Sequence, residues 1–227
     1  VSPLMVCVKS CQQDRERGYH QIIRQTWGQT LKSLGVETRF FVGKSTHPTN
    51  IIRYEKDEVA VDAPDDYNGL PYKTRAIVRW ASGKMVDNIF LCDTDTYVKR
   101  AVLKTGFESY DYAGVFGRQF GTTFYYDAPD RNGFVEKHPK CYAWASGGWG
   151  YYLSQRAIGL LHYEAPTSWA EDLWVGQVLS PLIMAGEITG KSFNHGEYSL
   201  HFPQAKFGGS TYDPKFKWME EMHSENR

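Results

Sequence analysis

No charge of either sign is in excess, because 26 Lys and Arg residues balance 26 Asp and Glu. The chain therefore lacks a basic footprint for nucleic acid or for an anionic membrane surface. No apolar run approaches the roughly 20 residues of a membrane span. No secretory leader is recognisable and no Asn-x-Ser/Thr acceptor occurs. These absences lean the expected compartment toward the cytoplasm, while a first residue of Val1 rather than Met allows for a segment upstream. Cysteine is scarce, with 4 residues. Cys7 and Cys92 fall in apolar runs that suit core packing and not a disulfide framework. There is no Gly-x-Gly-x-x-Gly fingerprint and no Walker loop, so dinucleotide and P-loop chemistry have no motif here.

What is present is an α/β pattern. At 227 residues and 41% apolar content, the chain is long enough for one domain with a real core. Aromatics reach 15%; they suit either a large core or flat platforms for sugars and bases. Strands are expected at Leu4 to Val8, Val36 to Val42 and Val59 to Val61, and helices at about Tyr19 to Leu34 and Tyr72 to Met85. Strand–helix alternation of this kind predicts a Rossmann-like, mainly parallel sheet flanked by helices.

The centre of the pattern is Asn88 to Val98. The apolar run Ile89 to Cys92 predicts a buried central strand, and it ends in Asp93-Thr94-Asp95. Ligands of open α/β sheets bind beyond the carboxyl ends of strands. Two carboxylates there could hold Mg²⁺ or Mn²⁺, with positions left for substrate phosphates. The same spacing could simply end a strand. It also matches the nucleophile of haloacid-dehalogenase-type phosphatases, where Asp93 would attack phosphorus.

The second half is less regular. A long polar and aromatic stretch, 117–138, is expected to be either a mobile segment or one that faces substrate. Gly147 and Gly148, beside Trp149, would let backbone approach a ligand closely. Glu171 and Asp172 precede a helix from about Leu173 to Ala185; they either complement its dipole or present a carboxylate able to accept a proton. Tyr198 to Phe202 is an expected strand carrying His201, and Lys215 to Arg227 is expected to be a surface tail.

Taken in order, these stretches resemble the β-1,3-glycosyltransferase family, which includes the β-1,3-galactosyltransferases and Fringe. Arg24-Gln-Thr-Trp-Gly28 is similar to its Arg-x-Thr-Trp-Gly. Asp66-Tyr-Asn-Gly-Leu-Pro-Tyr-Lys-Thr74 is similar to Asp-x-Tyr-x-Asn-Leu-Thr-x-Lys-Thr, compressed by one residue. Asp93-Thr-Asp95 stands where the family has Asp-Asp-Asp. Ala145-Ser-Gly-Gly-Trp-Gly-Tyr-Tyr-Leu-Ser154 and Glu171-Asp-Leu-Trp-Val-Gly176 are similar to Ser-Gly-x-Gly-Tyr-x-Leu-Ser and Glu-Asp-Val-x-x-Gly.

The resemblance implies a single GT-A domain with a nucleotide-sugar-binding half (1–100), an acceptor half (101–205) and a tail (206–227). It implies inverting transfer of a sugar from a UDP-sugar to a glycan or glycoprotein, with Mn²⁺ or Mg²⁺. Asp95 would bind the metal, and Asp93 would contact ribose or a metal-bound water. His201, or else His195, would complete the metal site; a strand fixes an imidazole better than a Gly-flanked loop, which favours His201. Asp172 would be the general base, with Glu171 supporting it or positioning the acceptor. Arg24, Lys73, Asp66 and Thr94 would serve the donor. Gly147, Gly148 and Trp149 would lie near its sugar, although Trp149 suits the core equally. Family members typically work in the Golgi lumen. A non-catalytic carbohydrate-binding module on the same fold is the further alternative.

Overall fold

Strand β1 (Leu4–Ser10) is buried along its whole length, as a strand covered by helices on both faces must be. The computed structural model describes residues 4–44, 55–84, 86–120, 122–125, 140–203 and 214–226. Alternate residues of β1 feed opposite cores: Leu4, Val6 and Val8 enter one, and Met5 and Cys7 the other.

A short helix α1 (Gln12–Glu16) follows, and then α2 (Tyr19–Gln25) and α3 (Trp27–Ser33). The single helix expected over Tyr19 to Leu34 is thus broken at Thr26. The Thr26 hydroxyl donates to the Ile22 carbonyl at 2.7 Å, and its backbone sits at φ −110, ψ −116. Such back-bonding competes with the helical ladder. The break seats Trp27 and Leu31 in the core and leaves Leu34 41% exposed.

β2 (Glu37–Gly43), β3 (Glu58–Val61), α4 (Leu70–Ser82) and β4 (Asn88–Asp93) complete the first half. β5 (Thr96–Val98), β6 (Tyr112–Gly114), β7 (Thr123–Tyr125), β8 (Lys140–Tyr142) and β9 (Tyr151–Ser154) come next. They are followed by α5 (Gln155–His162), α6 (Glu171–Met184), β10 (Gly190–Ser192), β11 (Ser199–His201) and α7 (Pro214–Glu225). Ser154 caps α5 by accepting from the Ala157 N–H, as its residue type favours.

The main sheet has seven strands in the order β10-β6-β9-β4-β1-β2-β3. β1 pairs in parallel with β2 and β4, β2 with β3, and β10 with β6. Only β9 runs against its neighbours. The sheet is mixed, mostly parallel and flanked by helices in one domain, with β4 at its centre. β11 lies outside it and pairs antiparallel with β5.

Two expectations need correction. The C-terminal segment is not merely surface: Trp218 and Met219 of α7 are buried at 6% and 0% exposure, and Trp218 meets Tyr97 and Phe202 edge-on. The Glu171-Asp172 pair does not precede α6 but forms its first turn. Most of the stretch 117–138, expected to be either mobile or substrate-facing, lies outside the described residues.

Candidate active site

The parallel register of β1 and β4 sets Lys9 beside Asp93 at the carboxyl ends of both strands. Lys9 is almost completely buried. Its ammonium lies 3.2 Å from Asp93 Oδ1 and donates to Glu171 Oε1 in a very short contact. Burial would lower the Lys9 pKa, but the charges of Asp93 and Glu171 outweigh it and hold the ammonium above its ordinary range. Glu171 also accepts from the Tyr151 hydroxyl at 2.6 Å and from Thr74 at 3.4 Å. One lysine therefore ties the acidic strand end to the first turn of α6.

Asp172 sits next in that turn, half-buried. Its carboxylate accepts from the Gly147 N–H at 3.0 Å and from the Leu173 N–H at 2.8 Å. Burial, with the neighbouring charge of Glu171, pushes the Asp172 pKa up to about 6. A carboxylate near 6 is ionised at neutral pH yet more basic than usual, which suits proton abstraction.

Gly147 and Gly148 form a tight turn just before β9, and β9 pairs with β4 so that Tyr151 faces Leu91. The turn thus lies off the carboxyl end of the central strand. A Cβ on Gly147 would come within 2.5 Å of Glu171 Oε1, and one on Gly148 within 2.8 Å of His201 Nε2. A side chain at either position would force the Glu171 carboxylate or the His201 ring to move. Two consecutive residues therefore touch the α6 carboxylates on one side and His201 on the other.

His201 reaches this place through β11, whose register sets it opposite Thr96. Its Nε2 lies 3.7 Å from Asp95 Oδ1, and Lys215 Nζ lies 3.5 Å from Asp95 Oδ2. His195 meets the edge of Trp149 at 5.0 Å between ring centroids. Trp149 also packs on the core, as one reading of it expected, and lies 6.3 Å from the His201 ring. Among the described residues no set of three His, Cys, Asp or Glu converges as a complete metal cage. Asp95 and His201 suit a different kind of site. Mg²⁺ and Mn²⁺ are commonly held by one or two protein ligands and completed by waters and substrate phosphates. Asp93 is pushed up by burial and has Lys9 as its direct counter-ion, so it supports the site from behind.

The other expected donor residues divide. Lys73 is buried at the same sheet edge, but its ammonium is held by the Ser10 carbonyl and, at 3.1 Å, by Asp65. Asp66 caps its own short turn through the Gly69 N–H. The neighbouring Asp65 is the one that faces inward, accepting from the N–H groups of Gln12 and Gly43 as well as from Lys73. Thr94 donates to Asp14 at 2.7 Å, so a carboxylate at 94 would confront a like charge. Arg24 does not reach the acidic cluster. It pairs with Asp57 and Glu58, beside a separate cleft of about 750 Å³. Its link to β1 is indirect: Glu58 holds His20, and His20 meets the Ser10 hydroxyl at 2.6 Å.

Lys9, Asp65 and Lys215 were not among the residues expected from sequence. None of the three carries a signal within its own stretch of sequence, because each is defined by partners distant along the chain.

A family model described as Galactosyltransferase matches residues 19–184. A search of curated proteins gives no match. Among solved structures, a glycosyltransferase involved in the glycosylation of the major capsid of PBCV-1 aligns over 95% of this chain and 99% of its own, at 12% identity and a TM-score of 0.51. HddC from Yersinia pseudotuberculosis aligns over 96% of this chain and 99% of its own, at 13% identity and a TM-score of 0.45. At 12% identity the first likeness is one of fold, and that fold is GT-A-like.

Proposed function

The chain belongs to the galactosyltransferase family, and on that premise we propose that it is an inverting, divalent-metal-dependent glycosyltransferase of the β-1,3, Fringe-like kind. It moves a sugar from a UDP donor to a hydroxyl of a glycan or glycoprotein. One observation carries this reading: the Gly147-Gly148 turn joins Asp172 to His201 and Asp95 across two residues.

The division of labour follows from that geometry. Asp95 and His201 would hold Mn²⁺ or Mg²⁺, which when bound offsets the charge on a leaving diphosphate. Asp172 takes the proton of the acceptor hydroxyl as it attacks the anomeric carbon. Gly147 donates its N–H to Asp172 and so fixes the orientation of the base. Glu171 is committed to Lys9, Tyr151 and Thr74. It therefore anchors the base and does not itself touch the acceptor. The family assignment displaces the phosphatase reading of Asp93, and the Lys9 ion pair also opposes it as a free nucleophile.

Incubation with a panel of UDP-sugars and Mn²⁺ tests the proposal. UDP should be released, release should stop on chelation, and added Mn²⁺ should restore it. Sugar binding without UDP release from any donor would instead mark a non-catalytic module.

A further inference from the structure

Building on the donor site just proposed, we propose that Lys215 is its resident counter-cation, holding Asp95 in the resting protein and turning to the diphosphate once a divalent ion takes that carboxylate. Asp95 is bracketed, with His201 near Oδ1 at 3.7 Å and Lys215 near Oδ2 at 3.5 Å. Its backbone is pinned as well, because the Phe202 N–H donates to the Asp95 carbonyl at 3.0 Å. A metal arriving at this carboxylate meets an ammonium already on it, and like charges at that range repel.

The surroundings of Lys215 allow the exchange. Its helix is anchored through buried Trp218 and Met219, so α7 stays in place. The ammonium lies over the rings of Tyr19 at 5.2 Å and Phe202 at 5.8 Å, and the side chain is 26% exposed. A lysine is a flexible stem carrying a point charge, suited to following an anion without fixed geometry. Lys9 is neutralised by Asp93 and the buried Glu171, and Lys73 by Asp65 and a carbonyl. Among the described residues beside Asp95, Lys215 combines solvent access with a carboxylate partner that a metal would take.

Calorimetric titration of the whole chain tests the idea, with Mn²⁺ alone and then with UDP at saturating Mn²⁺. Lys215→Ala should bind Mn²⁺ tighter, by about threefold or more, since a competing ion pair of ordinary strength is gone. The same variant should bind UDP more weakly by a similar factor, because a charge-assisted contact to phosphate is lost. Lys215→Arg should restore both. Opposite signs are the signature, as a merely structural lysine would weaken both and lower Tm together; that outcome overturns the proposal. Mn²⁺ and UDP affinities unchanged in Lys215→Ala overturn it too, while leaving the donor site standing. If the wild-type chain takes up no Mn²⁺ at all, the metal reading itself falls, and this inference falls with it.

Discussion

Asp172→Asn is expected to abolish sugar transfer and, at neutral pH, to raise Tm instead of lowering it. Loss of a general base lowers turnover by roughly 10²- to 10⁴-fold. The stability effect has the opposite sign because the fold disfavours this charge. The Asp172 pKa rises from 3.8 to about 6 on folding. Between those values the native state keeps a proton that the unfolded chain releases, so stability falls as pH rises through that window and stays lowered above it. Asparagine removes the charge, but it has one acceptor oxygen and so keeps only one of the bonds from Gly147 and Leu173. Offsetting the lost hydrogen bond against the relieved charge leaves a gain of about 1 kcal/mol. In a chain of this size that raises Tm by roughly 2–4 °C. Donor binding should persist, because Asp95 and His201 are untouched. Thermal unfolding and UDP release on the same preparation check both halves. Unchanged turnover would remove Asp172 as the base, and a lowered Tm would show that the fold does not strain against its charge.

Lys9→Met should do the reverse and damage both stability and activity. Methionine approximates the length of the lysine stem, so little packing is lost. What is lost is the counter-ion shared by Asp93 and Glu171. Stranding a buried charge costs about 3–5 kcal/mol, which in a chain of this size should lower Tm by roughly 10 °C. Transfer should fall with it, because Glu171 and Asp172 occupy one helical turn and Asp93 lies two residues from Asp95. Adding Glu171→Gln should recover part of the stability, since one of the two stranded charges is then neutral, but not the activity. A double-mutant cycle in thermal unfolding measures that coupling. A loss below about 1 kcal/mol would place Lys9 among ordinary surface pairs.

The two predictions differ in how far the sequence foretold them. Asp172 was legible because an acidic pair opening a helix is a local pattern, and the adjacent glycines marked a close approach. The central strand was legible for the same reason: an apolar run stopped by aspartates is a signal contained in a few residues. Lys9 was not, because a lysine after an apolar run resembles the start of a turn. Its partners lie far along the chain, and only the β1–β4 register brings Asp93 alongside. His201 was placed by its strand, yet its distance from Asp95 depends on a ribbon outside the main sheet. Asp66 and Asp65 could not be told apart without the backbone; the one that caps a short turn cannot also face Lys73. Where Arg24 would lie could not be read from its helix, because its partners Asp57 and Glu58 are distant in sequence. Lys215 sits on a helix whose apolar residues Phe216, Met219 and Met222 recur at helical spacing and pack on the core, but that spacing does not say which end of the sheet the helix covers.

The central claim is that a carboxylate made unusually basic by its surroundings takes the acceptor's proton. The most direct measurement is the pH dependence of kcat/KM for the acceptor in UDP release, whose profile reports the base before the acceptor binds. The rate should fall on acidification with a midpoint near the value of about 6 set for Asp172. A rate that stays level until ordinary carboxylates titrate, at about pH 4, would contradict the account and move the base elsewhere.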